Sequence, residues 1–266
     1  MSSPDWRSRR QGGFLLLLLL VFGVATSCDE PRHTSSPRTV STPVENPIEQ
    51  FFHSATPKEY RDGVAAIVLI DTSGSMVDRV KDASGVLQPK IDIAQRAAIK
   101  LVDQFEQYAR EHPERPIILG IYEFSDRDGE ASTRAVIPPG APDASRAQNA
   151  IRQMRGRGGT PIGNAMIRAK LDIDSTGLSK RHIVVITDGA NTKGYSPEDV
   201  TRAITNQSEN DRASIYFVAF DIASSKFDSV RDAGGSVLSA SDETELRGTL
   251  DYLLTGKILA EQPPQR

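Results

Sequence analysis

The chain has 266 residues, 38% hydrophobic and 25% charged, with a formal net charge of −3. That length and apolar content suffice for one sizeable core plus appendages, and an acidic balance without a basic block argues against nucleic acid as a partner. One cysteine and four scattered histidines leave no material for a Cys/His zinc site or for an intrachain disulfide framework.

The first residues read as an export signal, Met1–Ser27. Arg7, Arg9 and Arg10 form a basic start and Phe14 to Ala25 an apolar stretch, which is shorter than the roughly 20 residues of a comfortable membrane span. Ala25-Thr26-Ser27 then precedes Cys28. Two readings follow. Ala25-x-Ser27 suits ordinary secretory cleavage, giving a secreted protein. The sole cysteine beside the cleavage site resembles a bacterial lipobox, although Ala25 stands where such signals usually carry Leu. On that reading Cys28 is lipidated and the protein is a membrane-anchored envelope lipoprotein. Residues 28–58 follow as a tether, with Pro31, Pro37, Pro43, Pro47 and Pro57 among Ser, Thr and charged residues. Such a composition buries too little apolar surface to offset its ordering entropy. Phe51-Phe52 interrupts it, as a docking contact on the domain's own surface or as a binding motif. The folded domain is expected over 59–259, with a polar tail at 260–266.

Val64 to Ile70 is an apolar, β-branched run that reads as a strand buried on both faces. It ends in Asp71, and Ser73 and Ser75 follow at every second position around Gly74. Alternate side chains of an extended or turning segment point the same way, so these three oxygens can converge. They also suit plain capping and turn roles. After a polar loop to Lys90, Ala94, Ala97, Leu101, Phe105 and Tyr108 fall at helical spacing. Ile117 to Phe124 is the next strand, and Ala135 to Ile137 a short one after it. Between them Asp126-Arg127-Asp128-Gly129 reads as a hairpin turn, since the downstream Glu of a calcium loop is missing. Helices are expected at Asp143–Met154, Ile162–Leu171, Ser196–Asn206 and Asp242–Leu259. Strands are expected at Ile183–Ile186, Ile215–Phe220 and Val237–Leu238. Alternating strands and helices make one α/β domain, doubly wound around a mostly parallel central sheet.

Parallel strands gather their carboxyl ends on one edge, where ligands bind. There the second buried strand delivers Asp188, and Gly158-Gly159-Thr160-Pro161 delivers a hydroxyl. With these residues in place the chain resembles the von Willebrand factor A-domain (VWA) family, over roughly Tyr60 to Leu259. That family's metal-ion-dependent adhesion site combines D-x-S-x-S after the first strand, a Thr in a Gly-rich loop and an Asp after the fourth strand. All three parts stand here in order. The resemblance implies a Rossmann-like sheet with one short antiparallel edge strand. It also implies a divalent cation held by Asp71, Ser73, Ser75, Thr160 and Asp188. Mg²⁺ is expected, with Mn²⁺ or Ca²⁺ as alternatives.

The implied activity is metal-dependent protein recognition, an acidic side chain of a protein partner completing the coordination, rather than catalysis. Two alternatives stay open: an envelope scaffold whose metal only ties three loops together, and a metal-dependent hydrolase. The hydrolase lacks a His or spare Glu in the three loops to serve as base. Gly156, Gly158 and Gly159 are not followed by the Lys-Ser/Thr of a phosphate loop, so no nucleotide is expected. Arg152, Arg155 and Arg157 crowd the approach to Thr160, as a solvated face or as a positive rim favouring acidic partners. Asp221, at the end of a strand on the same edge, is assigned to a cap or turn. Because the tether enters at the amino end of the first strand, the metal edge is expected on the far side of the domain.

Overall fold

A computed structural model describes residues 47–52 and 59–260. The signal segment, Cys28, the rest of the tether and residues 261–266 lie outside the described residues. The chain divides into Met1–Pro43 and Val44–Arg266, and every described residue belongs to the second unit.

The unit runs through β1 (Arg61–Asp71), β2 (Arg79–Lys81), β3 (Leu87–Pro89), α1 (Lys90–Glu111), β4 (Ile117–Arg127) and β5 (Glu130–Gly140). It continues through α2 (Ala144–Ile151), α3 (Ile162–Asp174), β6 (Leu178–Thr187), α4 (Pro197–Thr205), β7 (Ser214–Phe220), α5 (Asp228–Asp232), β8 (Ser236–Ala240) and α6 (Glu243–Leu253). Six strands form one sheet in the order β5-β4-β1-β6-β7-β8. Every neighbouring pair is parallel except β4 with β5. The chain leaves β1 towards β4 on one side and reaches β6 on the other. The carboxyl end of β1 therefore faces the crevice where strand order reverses.

The side chains of β1 explain why helices cover both faces. Val64, Ala66, Val68 and Ile70 pack into a cluster with residues of α1, α2 and α6. Ala65, Ile67 and Leu69 pack into a second cluster with residues of α3 and α4. A period-two strand that is apolar on both parities needs such a layer on each side. In α1, Ala94, Ala97, Leu101 and Phe105 are all buried, and Tyr108 lies partly buried at the margin. Ser196 caps α4 by accepting from the Asp199 amide, with Pro197 as the first helical residue. Asp128 and Gly129 both take positive φ, 53° and 84°, the backbone of a type I′ hairpin turn between β4 and β5.

Four features depart from the sequence reading. The polar loop before Lys90 contains the small β2–β3 hairpin, whose three-residue strands are too short to display alternation. β5 extends well beyond Ala135–Ile137, running through Pro138 and Pro139, which an edge strand tolerates because one side needs no N–H donor. The five-residue α5 was not anticipated. Within the stretch read as tether, Ile48 and Phe52 are buried in the α3–α4 cluster. Phe52 lies under the Lys170 ammonium, 5.4 Å from ring centroid to nitrogen. The Phe51-Phe52 pair therefore docks on the domain's own surface. Tyr60, just before β1, stacks under the Arg181 guanidinium at 4.0 Å and donates to Asp211 at 2.8 Å. Phe51, by contrast, meets Tyr195 edge-on at 5.7 Å. Tyr195 belongs to the loop that follows Asp188, so the docked segment touches the carboxyl edge as well.

Candidate metal centre

Three loops build the site, and the backbone ties them together. Gly74 N donates to Gly158 O at 2.8 Å, and Arg157 N donates to Thr72 O at 2.7 Å. The D-x-S-x-S loop and the Gly-rich loop are thereby joined. Asp126 N donates to Gly159 O at 2.9 Å, and Thr192 N to Thr160 O at 3.0 Å. The Thr160 amide in turn donates to Thr192 Oγ1 at 2.8 Å. Gly158 takes φ +74°, and a Cβ there would meet Asp126 O at 1.8 Å. Only glycine permits that approach. The same holds at Gly163 in the first turn of α3, where a Cβ would stand 2.1 Å from Tyr195 O.

Asp71, Ser73, Ser75 and Asp188 form one connected chain of polar contacts. Asp71 Oδ1 accepts from the Ser73 amide at 2.7 Å, and the Ser73 and Ser75 hydroxyls are 3.1 Å apart. Ser75 Oγ donates to Asp188 Oδ1 at 2.7 Å. Thr160 stands at the same place. Its Oγ1 is 3.4 Å from where a Cβ on Gly189 would be, and Ser75 Oγ is 3.8 Å from that point. A side chain at position 189 would occupy the space these two hydroxyls face. All five oxygen-bearing side chains singled out in the sequence thus lie on one edge of the sheet.

The electrostatics of the cluster are unbalanced at Asp71. Its carboxylate is fully buried and accepts from the Ser73 amide and from Thr187 Oγ1, the latter at 2.6 Å. Burial, helped by the nearby Asp188 charge, pushes its pKa up to about 7 despite those hydrogen bonds. Asp188 is better served. The buried Lys90 ammonium holds its Oδ2 at 3.0 Å and Asp221 Oδ2 at 2.9 Å. Burial works to lower the pKa of Lys90, but its bonds to Asp221 and Asp188 outweigh burial and hold it above the ordinary value. Asp221 is therefore an ion-pair partner of Lys90, a role beyond the cap or turn assigned from sequence.

Lys90 and Thr187 are absent from the sequence-derived site. A signal for Lys90 exists all the same. It is the first residue of α1, where a positive charge opposes the helix dipole, so a lysine there needs carboxylates close by. Arg152, Arg155 and Arg157 are exposed, and none has a carboxylate within ion-pairing distance among the described residues. Arg155 instead donates to the carbonyls of Arg152 and Met154, both at 2.7 Å.

The donor set suits a small hard cation. It offers two carboxylates and three hydroxyls, all oxygen, with one carboxylate buried away from any positive charge. Among the described residues no group of three or more His, Cys, Asp or Glu stands ready to hold a metal. A cation here would therefore depend on the hydroxyls.

Residues 66–191, which include all five of these positions, match the family profile described as the von Willebrand factor type A domain. The chain contains a VWA domain. No curated protein matches it significantly, but solved structures do. The von Willebrand factor type A protein from Catenulispora acidiphila is 20% identical with a TM-score of 0.56, over 76% of this chain and 44% of that one. The PilB minor pilin from Streptococcus sanguinis is 13% identical with a TM-score of 0.57, over 79% of this chain and 66% of that one. The pilus adhesin SpaC from Lactobacillus rhamnosus GG is 13% identical with a TM-score of 0.58, over 76% of this chain and 31% of that one. The chain thus spans less than two thirds of each relative's length. At these identities the likeness is one of fold: a VWA sheet, mostly parallel with an antiparallel edge strand and helices on both faces.

Proposed function

We propose that this VWA domain binds one divalent cation, most simply Mg²⁺, and uses it to recognise a protein partner through an acidic side chain. Asp71, Ser73, Ser75, Thr160 and Asp188 would hold the ion. Once bound, the ion would supply an electrophilic contact for a carboxylate. The observation that carries this reading is the Asp71 carboxylate, fully buried and facing hydroxyls with no cation of the protein's own beside it. Lys90 adds to the argument. By taking up negative charge on Asp188 it leaves the cluster less able to neutralise a divalent ion, so a carboxylate from outside remains attractive. The adhesin and pilin among the structural relatives fit a role in protein–protein contact.

The same reading is non-catalytic. The nearest buried carboxylate on β4, Glu123, is engaged by Arg127 and Arg134 and is not placed as a base. We further propose export to the cell envelope, with Cys28 as a lipid anchor and the domain held beyond the membrane by the tether. The functional reading is tested by immobilising the protein and capturing envelope proteins in Mg²⁺ or in chelator. Partners retained in Mg²⁺, released by chelator and ignored by Asp71→Asn are expected. The same proteins retained by all three would leave the scaffold reading in its place.

A further inference from the structure

A groove between α1 and α2 opens beside the metal edge. It consists of two adjoining clefts, of about 360 and 470 Å³, which share Arg96, Ile99 and Arg152. Ile99 and the buried Met154 supply an apolar floor, and Gln95 Nε2 fixes the wall by donating to Met154 O at 2.9 Å. Arg96, Lys100, Arg152 and Arg155 line the sides. Arg96 is spoken for by Glu243 and Lys100 by Asp103. The charges of Arg152 and Arg155 meet no carboxylate among the described residues. On a chain with a formal net charge of −3, a groove with a net positive lining is a local departure that calls for a local reason.

The groove also ends close to the candidate metal centre. Arg155 is followed by Gly156, where a Cβ would stand 3.1 Å from Ser73 O, and by Arg157, whose amide bonds Thr72 O. Consecutive Cα atoms lie 3.8 Å apart, so at most about 8 Å separates Arg155 from Arg157. An extended segment with one carboxylate at the metal edge would lay its next few residues in the groove. Asp92 and Asp103 also line it; Asp103 is paired with Lys100, which leaves Arg152 and Arg155 against Asp92 and the lining net positive. The apolar floor has no use for a phosphate chain, whereas it fits an aliphatic side chain.

We infer that this groove receives an extended segment of the partner protein, one that carries further Asp or Glu residues around an aliphatic side chain and flanks the metal-binding carboxylate. This rests on the functional reading above and names the partner's chemistry. Charged rims of this kind chiefly set partner choice and association rate.

The test selects a display library of random dodecapeptides on the Mg²⁺-loaded protein, and in parallel on Arg152→Glu and on wild type in chelator. Arg152 has no side-chain partner among the described residues, so this reversal should leave the melting temperature unchanged. Arg155→Gln serves as a second variant that removes the other charge; because Arg155 also bonds the carbonyls of Arg152 and Met154, its melting temperature is measured alongside. Wild type should enrich peptides with two or more acidic residues around an aliphatic one. Arg152→Glu should lose that enrichment, and a selected peptide should bind it at least tenfold more weakly. The same peptides emerging from wild type and both variants, or no enrichment at all, would overturn the proposal. Equal enrichment by wild type in chelator, still lost in Arg152→Glu, would retain the groove and refute the metal reading.

Discussion

Asp71 shows how a single side chain can be costly to a fold and useful to a site. Its pKa is pushed up to about 7 by burial, above the unfolded 3.8. An acid shifted that way binds its proton in the folded state while the unfolded chain has already lost it, so Asp71 costs the cation-free domain stability as pH rises from about 4 to about 7. Asp71→Asn keeps the shape and removes the charge. At pH 8 without metal it should melt several degrees above wild type, since each pKa unit corresponds to about 1.4 kcal/mol; a lower melting temperature would mean the carboxylate is already compensated. His182 behaves in the opposite sense. Burial first, then the charges of Lys180 and Arg115, lower its pKa from 6.5 to about 3. The unfolded chain takes up a proton that the folded one refuses, so the contribution of His182 to stability falls as pH drops below 6.5. By pH 5 the loss should reach about 2 kcal/mol. Asp71 pulls the other way over the same range, so the His182 share is read as a difference. Between pH 7 and pH 5, denaturant unfolding of His182→Gln should gain about 2 kcal/mol relative to wild type, and an identical pH dependence in the two would place the titration elsewhere.

At the scale of elements, legibility followed length and periodicity. The strands that end in Asp71 and Thr187 are long, apolar and β-branched, and α1 repeats its apolar residues over many turns. These could be read without a structure, and with them the positions of Asp71, Ser73, Ser75 and Asp188. The β2–β3 hairpin and α5 offer too few residues for any period to register. Lys90 was hidden for another reason: its partners, Asp188 and Asp221, lie 98 and 131 positions away, and only the strand order brings them together. The docked Ile48–Phe52 segment was obscured by its Pro-rich surroundings, though Phe51-Phe52 marked the place. Phe52→Ala should cost about 3 kcal/mol of unfolding free energy, in the range for deleting a buried aromatic ring. A cost below about 0.5 kcal/mol would show that the segment only rests on the surface. Gly163→Ala should force Tyr195 away from α3 and loosen the loop that carries Asp188. A variant with wild-type stability and Mg²⁺ affinity would contradict that coupling.

On the scale of the whole molecule, the domain joins its tether at two places, Tyr60 at the amino end of β1 and Phe51 beside Tyr195 at the carboxyl edge. A simple outward-pointing arrangement, with the tether confined to the far end, is therefore too plain a picture. If Cys28 carries lipid, Cys28→Ser should shift the protein from the membrane fraction or leave an uncleaved precursor, because several acyl chains anchor at about 0.8 kcal/mol per buried methylene. Mature protein unmodified at Cys28 by mass spectrometry would favour secretion. The central claim is that the three loops hold a divalent cation, and calorimetric titration of Mg²⁺ into the purified protein tests it most directly. One binding event per chain is expected, weakened in Thr160→Ala and abolished in Asp71→Asn. No binding by wild type, or equal affinity in Asp71→Asn, would contradict it.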